Sequence, residues 1–261
     1  MRAPQELDSF ETFINIIARL RAPDGCPWDR EQTHTSLREN LLSETYEVLD
    51  AIDNYSPEKL CEELGDLLLQ IVLHAQIGSD EGEFEISDVI RGISEKIIRR
   101  HPHIYGEVKV HDAGEVVQNW EALKKKEKRE GESMLSGVPH NMPALAYACD
   151  IQKRVARVGF DWDDTEQNIE KIVEEIREIN QAKTEKEKEE EYGDMLFALV
   201  NIMRKEKVDP EAALRNASRK FTRRFQRMEE LCYQRGMEFS QLDFEKQNEL
   251  WEEVKKEEEM K

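Results

Sequence analysis

Cysteine, aromatic residues, positive charge and long apolar runs are all scarce in this chain, and each scarcity closes off a class of protein. The four cysteines, Cys26, Cys61, Cys149 and Cys232, show no CxxC pairing and no metal-ligand spacing with histidine. That speaks against a zinc site or a disulfide scaffold and for reduced, largely buried thiols in a cytoplasmic protein. The longest apolar runs, near residues 67–73 and 195–203, are too short to span a bilayer, so no membrane partner is expected. Residues 1–20 are amphipathic and carry acids, without the apolar core and cleavage site of a signal peptide. Lys and Arg number 38 against 57 Asp and Glu, a formal net charge of −19, which would repel a nucleic-acid polymer. A nucleotide delivered with its own metal ion is not excluded by that charge. Alternating strand patterns are missing too, apart from a weak segment at 107–110.

What the chain has in abundance is helical spacing. Apolar residues recur at three and four residues in Phe10, Phe13, Ile14, Ile17, in Leu41, Leu42, Val48, Leu49, Ile52, in Ile169, Ile172, Val173, Ile176, Ile179, and in Leu214, Ala217, Phe221, Phe225, Met228. An all-α architecture follows. Breakers at 22–25, 56–57, 78–82, 101–102, 131–143 and 209–210 divide it, and 131–143 follows a highly charged helix end at 124–130. The expected organisation is therefore a module over 1–130, a linker over 131–143 and a second module over 144–261.

The two halves repeat one another. Glu44 and Glu47 parallel Glu175 and Glu178 at an offset of 131 (175 − 44), and Glu63 and Asp66 parallel Glu191 and Asp194 at 128 (194 − 66). Lys96, Arg99 and Arg100 parallel Lys220, Arg223 and Arg224 at 124 (220 − 96), Trp120 parallels Trp251 at 131 (251 − 120), and Trp28 parallels Trp162. Five blocks in the same order make the chain two copies of one helical module.

Each copy carries four carboxylates on two helices, a Lys-x-x-Arg-Arg run and a late tryptophan. Residues three or four apart share a helix face, so Glu174, Glu175 and Glu178 converge, as do Glu191 and Asp194. Hard oxygen ligands on rigid helices suit Mg²⁺ or Mn²⁺, and Lys and Arg suit phosphate. A tryptophan face can stack on a base without choosing among bases. Each part also has a plainer reading. Glu-rich helices are often solvated faces, the basic run can pair with Glu229 and Glu230, and Trp120 and Trp251 can be packing anchors. Asp66 and Asp194 open runs that are apolar on every side and so expected to be buried; there an acid can also serve a helix N-terminus. Asn201, on the helical face of Asp194 and matched by Leu73 in the first copy, is a candidate contact for the cluster or a ribose. The histidines form no recognisable ligand set and carry no assigned role.

The paired Glu-Glu-x-x-Glu and Glu-x-x-Asp patterns, with Lys-x-x-Arg-Arg and the strings at 25–29, 44–52, 99–103 and 158–162, resemble the MazG nucleoside triphosphate pyrophosphohydrolases of the all-α NTP pyrophosphatase superfamily. The similarity extends over essentially the whole chain. It implies four-helix-bundle-like modules completed by homodimerisation, Mg²⁺ dependence with Mn²⁺ as a possible substitute, and hydrolysis of nucleoside triphosphates to monophosphate and diphosphate with broad base tolerance, in a nucleotide-pool or stress role. By that resemblance Glu175, Glu178, Glu191 and Asp194 are metal ligands and catalytic residues supported by Glu174. Lys171, Glu174, Asn201, Lys220, Phe221, Arg223, Arg224 and Trp251 are then the substrate contacts. The first copy departs in having Ser43 where the second has Glu174, so its acids Glu44, Glu47, Glu63 and Asp66 form the less complete set. A narrower substrate, such as a modified nucleotide or an alarmone, and a non-catalytic dimer scaffold are the rival readings.

Overall fold

The computed structural model describes residues 4–126, 131–161 and 165–259; Trp162 and residues 127–130 lie outside them. The chain divides into two units, Met1–Lys128 and Arg129–Lys261. Helix is the only regular structure among the described residues. Residues 107–110 run as an irregular connection, since a lone short strand has no neighbour with which to form a ladder. No helix is long and apolar enough to cross a membrane.

The first unit contains α1 (Phe10–Arg21), α2 (Pro27–Glu31), α3 (Arg38–Asp53), α4 (Pro57–Glu81), α5 (Ile86–Arg100), α6 (Pro102–Tyr105) and α7 (Ala113–Lys126). Helices α3 and α4 form a hairpin whose second arm starts on Pro57 behind Ser56, the Ser56 hydroxyl accepting from the Lys59 amide at 3.4 Å. Helix α1 lies against α4 and shuts a core of Ile17, Leu37, Val72, Leu73 and Ile77. Each such side chain contributes about 1.5–3 kcal/mol on burial.

The second unit repeats that order with α8 (Ala144–Ala156), α9 (Thr165–Gln181), α10 (Glu185–Lys205), α11 (Pro210–Gln234) and α12 (Phe244–Glu259). Helix α9 packs along α10 as α3 does along α4, α8 sits on α10 as α1 sits on α4, and α11 pairs with α12 as α5 pairs with α7. A capping box starts α10: the Thr184 hydroxyl accepts from the Glu187 amide at 3.1 Å, and the Glu187 carboxylate accepts from the Thr184 amide at 3.2 Å. Met228, Leu231, Cys232, Leu250 and Val254 form the core between α11 and α12. Residues 131–143 belong to this unit: Val138 is buried, and Arg154 of α8 donates to the Ser136 carbonyl at 2.9 Å.

Three expectations need correction. Asp66 and Asp194 do not open helices; they lie within α4 and α10, two turns or more from the N-termini, so helix-end electrostatics does not explain them. The apolar runs that follow are not buried all round. Leu64, Leu68 and Ile71 of α4 and Tyr192, Leu196 and Leu199 of α10 are exposed, because one neighbouring helix and α1 or α8 cover only part of each circumference. The thiols are all free, but only Cys149 and Cys232 are buried, whereas Cys61 is exposed.

Candidate active site

Each hairpin carries a carboxylate cluster drawn from the duplicated acids, but the trio that converges differs: the first takes two acids from its leading helix and one from its second, and the second takes one and two. In the second unit, α9 contributes Glu175 and α10 contributes Glu191 and Asp194, and one carboxylate oxygen from each lies within 4.8 Å of the others. Glu178, one turn along α9 from Glu175, borders this trio. Burial first, and then the charge of Glu178 followed by Glu175 and Asp194, raise the Glu191 carboxyl above its ordinary pKa. Glu175 is 3 % exposed, and its Oε2 is buried with no hydrogen-bond partner. The only cation bonded to this trio among the described residues is Lys171, whose Nζ lies 2.9 Å from Glu175 and 3.3 Å from Glu174. The bond to Glu175, reinforced by Glu174, holds the Lys171 pKa above the usual lysine value, so its charge is kept.

The first unit brings together Glu44 and Glu47 of α3 and Glu63 of α4, again within 4.8 Å. Burial and then the charges of Glu47, Asp66 and Glu63 raise the Glu44 pKa; burial and then Glu47 raise that of Glu63, opposed by Lys59. Here Glu63 is the deeply buried acid at 5 % exposure, and Lys59, 3.8 Å away on α4, is its cation. Each cluster thus owns one lysine, but from opposite arms of the hairpin. Ser43, where the second copy has Glu174, donates to Glu47 at 3.3 Å.

Both clusters fit a divalent cation. Several oxygens converge in each, the single lysine leaves net negative charge, and the orphaned buried oxygen of Glu175 lacks the partner that a buried carboxylate requires.

The other predicted site residues collect on a different helix pair. Arg223 and Arg224 of α11 share Glu258 of α12 at 2.9 and 2.8 Å, rather than pairing with Glu229 and Glu230. The Arg224 guanidinium lies 5.5 Å over the Trp251 ring, and Phe221, 57 % exposed, stands 5.4 Å from the same ring. Arg100 sits 5.5 Å over Trp120, so the duplication extends to a cation–π pair. Lys220 is exposed on α11. Glu258 was not singled out from sequence, although its place seven residues beyond Trp251 puts both on one face of α12. Asn201 is 1 % exposed; its Oδ1 accepts from Arg204 Nη2 at 2.7 Å and Nε at 3.0 Å, and Arg204 continues to Asp161 at 2.6 Å. Those bonds satisfy the buried Asn201 carbonyl oxygen.

A family profile described as the MazG nucleotide pyrophosphohydrolase domain matches residues 32–105, the stretch of the first unit that holds Glu44, Glu47, Glu63 and Asp66. The nucleoside triphosphate pyrophosphohydrolase/pyrophosphatase MazG of Thermotoga maritima is 47 % identical over 247 residues, 94 % of this chain and 95 % of that one. The nucleoside triphosphate pyrophosphohydrolase of Escherichia coli K12 is 42 % identical over 260 residues, 97 % and 99 % of the two chains. YabN of Bacillus subtilis is 49 % identical over 251 residues, 94 % of this chain but 51 % of YabN. With duplicated carboxylate hairpins and full-length relatives at this level of identity, the chain belongs to the MazG nucleotide pyrophosphohydrolase family.

Proposed function

We propose that this chain hydrolyses nucleoside triphosphates to the monophosphate and diphosphate, with Mg²⁺ held on Glu175, Glu178, Glu191 and Asp194 and Mn²⁺ as a working substitute. The observation that carries the reading is the convergence of Glu175, Glu191 and Asp194 within 4.8 Å beside a lysine. When bound, such an ion neutralises phosphate oxygens and lowers the pKa of a coordinated water. The protein's own groups do the rest by positioning and charge. Lys171 keeps its proton beside the cluster, where a phosphate oxygen can replace Glu175 as its partner; Glu174 anchors that lysine from the other side. Lys220, Arg223 and Arg224 grip the polyphosphate, the arginine forks matching its geometry. Trp251 and Phe221 offer aromatic faces that accept any base, which gives broad base tolerance and suits a role in cleaning the nucleotide pool. In-line attack of water at the α-phosphorus expels diphosphate.

The exposed apolar faces of α4 and α10 are the surfaces that a homodimer would cover, completing each hairpin as a four-helix bundle. The test compares Glu178→Gln in the second unit with Glu47→Gln in the first. Glu178→Gln abolishes turnover, by at least about a hundredfold, with the helical spectrum unchanged. Full activity of Glu178→Gln would remove catalysis from this cluster.

A further inference from the structure

The first unit holds a second constellation of ligating side chains, made of residues other than Glu44, Glu47 and Glu63 and without counterpart among the described residues of the second unit. Helix α4 ends on Glu81, the chain turns through Gly82 in the left-handed conformation (φ 72°), and the Glu83 amide donates back to the Gly78 carbonyl at 2.8 Å. Two exposed carboxylates therefore flank a fixed turn. His34, from the turn before α3, comes to the same place: a ring nitrogen of His34 and one oxygen from each of Glu81 and Glu83 lie within 4.8 Å of one another. The His34 ring is held from behind. Its Nδ1 is 2.8 Å from Nδ1 of His74 on α4, and the two rings meet edge to edge, almost parallel, with centroids 5.1 Å apart. Phe84 stacks on the other neighbour side at 6.2 Å and rests on Gly78.

We infer that His34, Glu81 and Glu83 bind a divalent transition-metal ion, with His74 setting the orientation of the His34 ring. One imidazole nitrogen with two carboxylate oxygens is a donor set for ions of the Zn²⁺ class, whereas the all-carboxylate hairpin clusters suit Mg²⁺. Ligands on one ion at the usual bond lengths are separated by about 3–4 Å, so atoms within 4.8 Å close on an ion with side-chain movement alone. A histidine ligand characteristically has its other nitrogen bonded to a second group that fixes the ring, and His74 supplies that bond through Nδ1, leaving Nε2 of His34 for the ion. The duplicate supplies a control. Ile202 occupies the position of His74 in the second unit (202 − 74 = 128, the offset of the adjacent block), so the helix itself does not require a histidine there. The bound ion would clasp the turn before α3 to the end of α4 and so couple metal binding to the stability of the first unit.

The test is calorimetric titration of Zn²⁺ into the full chain in excess Mg²⁺, which loads the carboxylate clusters, alongside His34→Gln and the double variant Glu81→Gln/Glu83→Gln. The wild type is expected to show a Zn²⁺ site whose affinity falls at least about tenfold in both variants, and Zn²⁺ is expected to raise the thermal midpoint of the wild type alone. Because Glu81 and Glu83 are exposed, the double variant reports even if His34→Gln fails to fold. Zn²⁺ binding of equal tightness in wild type and double variant, or none in the wild type, overturns the inference.

Discussion

At the scale of single residues, two side chains decide how the site should be understood. Lys171 is the internal counter-charge of the second cluster, bonded to a Glu175 whose other oxygen has no partner. Lys171→Met therefore leaves a buried carboxylate uncompensated. Loss of one partner of a fully buried pair costs about 3–5 kcal/mol, but the Lys171 side chain is 39 % exposed, so the expected loss is nearer ~1 kcal/mol. Denaturant melts should show this loss in EDTA and its recovery in Mg²⁺; a variant equally destabilised in both would mean that Lys171 does not stand in for a cation. Asn201 is the other. Asn201→Leu, the residue found as Leu73 in the first copy, should destabilise the chain by about 1–3 kcal/mol by depriving Arg204 of its acceptor, while kcat per folded molecule stays unchanged. Undiminished stability with lost turnover would assign Asn201 to the substrate instead. The acids were legible in sequence because i, i+3 and i, i+4 spacing fixes a face. The distant partners were not, since the Arg204–Asp161 bond and the His34–His74 pair join residues whose contact only the fold creates.

At the scale of elements, the hairpins set both local stability and response to pH. Helical period and breakers foretold the helices well: Ser56-Pro57 and Asp209-Pro210 start α4 and α11. What the pattern could not show was how far each helix extends through its acids, because the charged stretch 185–191 has no apolar stripe of its own yet forms the first turns of α10. Gly78 illustrates packing that sequence hides. A Cβ there would come within 2.7 Å of the Phe84 ring, which is backed by His34. Gly78→Ala gains about 1 kcal/mol of helix propensity but incurs about 1–3 kcal/mol of overpacking, so a net loss near ~1 kcal/mol is expected in thermal melts. A more stable variant would show that Phe84 yields freely. The clusters add a pH dependence whose sign is set by their raised carboxyls. Glu191 binds its proton more tightly in the folded chain than in the unfolded one, so the folded state holds more protons just above the ordinary carboxylate range. Its contribution to stability therefore declines as pH rises through that window. Without metal, wild type should lose stability relative to Glu191→Gln as pH rises from about 4.5; a difference that grows in the wild type's favour would contradict a carboxyl raised by burial and its acidic neighbours.

At the scale of the whole chain, duplication explains both what is shared and what has diverged. The shared parts are the paired hairpins, a cluster of acids on each of them and the Arg–Trp contacts. The lysine has changed arms, Ser43 stands in place of an acid, and the histidine turn exists only once. Sequence reads the first copy as the less complete set; in the structure Glu44, Glu47 and Glu63 still bring one oxygen each within 4.8 Å of one another. The exposed leucines of α4 and α10 bear on association. If the proposed homodimer forms through these faces, the wild type sediments as a dimer and Leu68→Glu with Leu196→Glu shifts it to monomer at micromolar concentration; a monomeric wild type, or an unchanged mass in the variant, would contradict that interface.

The most direct test of the central claim is product analysis with Mg²⁺ and a panel of ribo- and deoxyribonucleoside triphosphates, separating monophosphate and diphosphate from nucleoside diphosphate and orthophosphate. The account predicts nucleoside monophosphate and inorganic diphosphate in equal amounts across several bases. Nucleoside diphosphate with orthophosphate, or no product from any triphosphate, would contradict it.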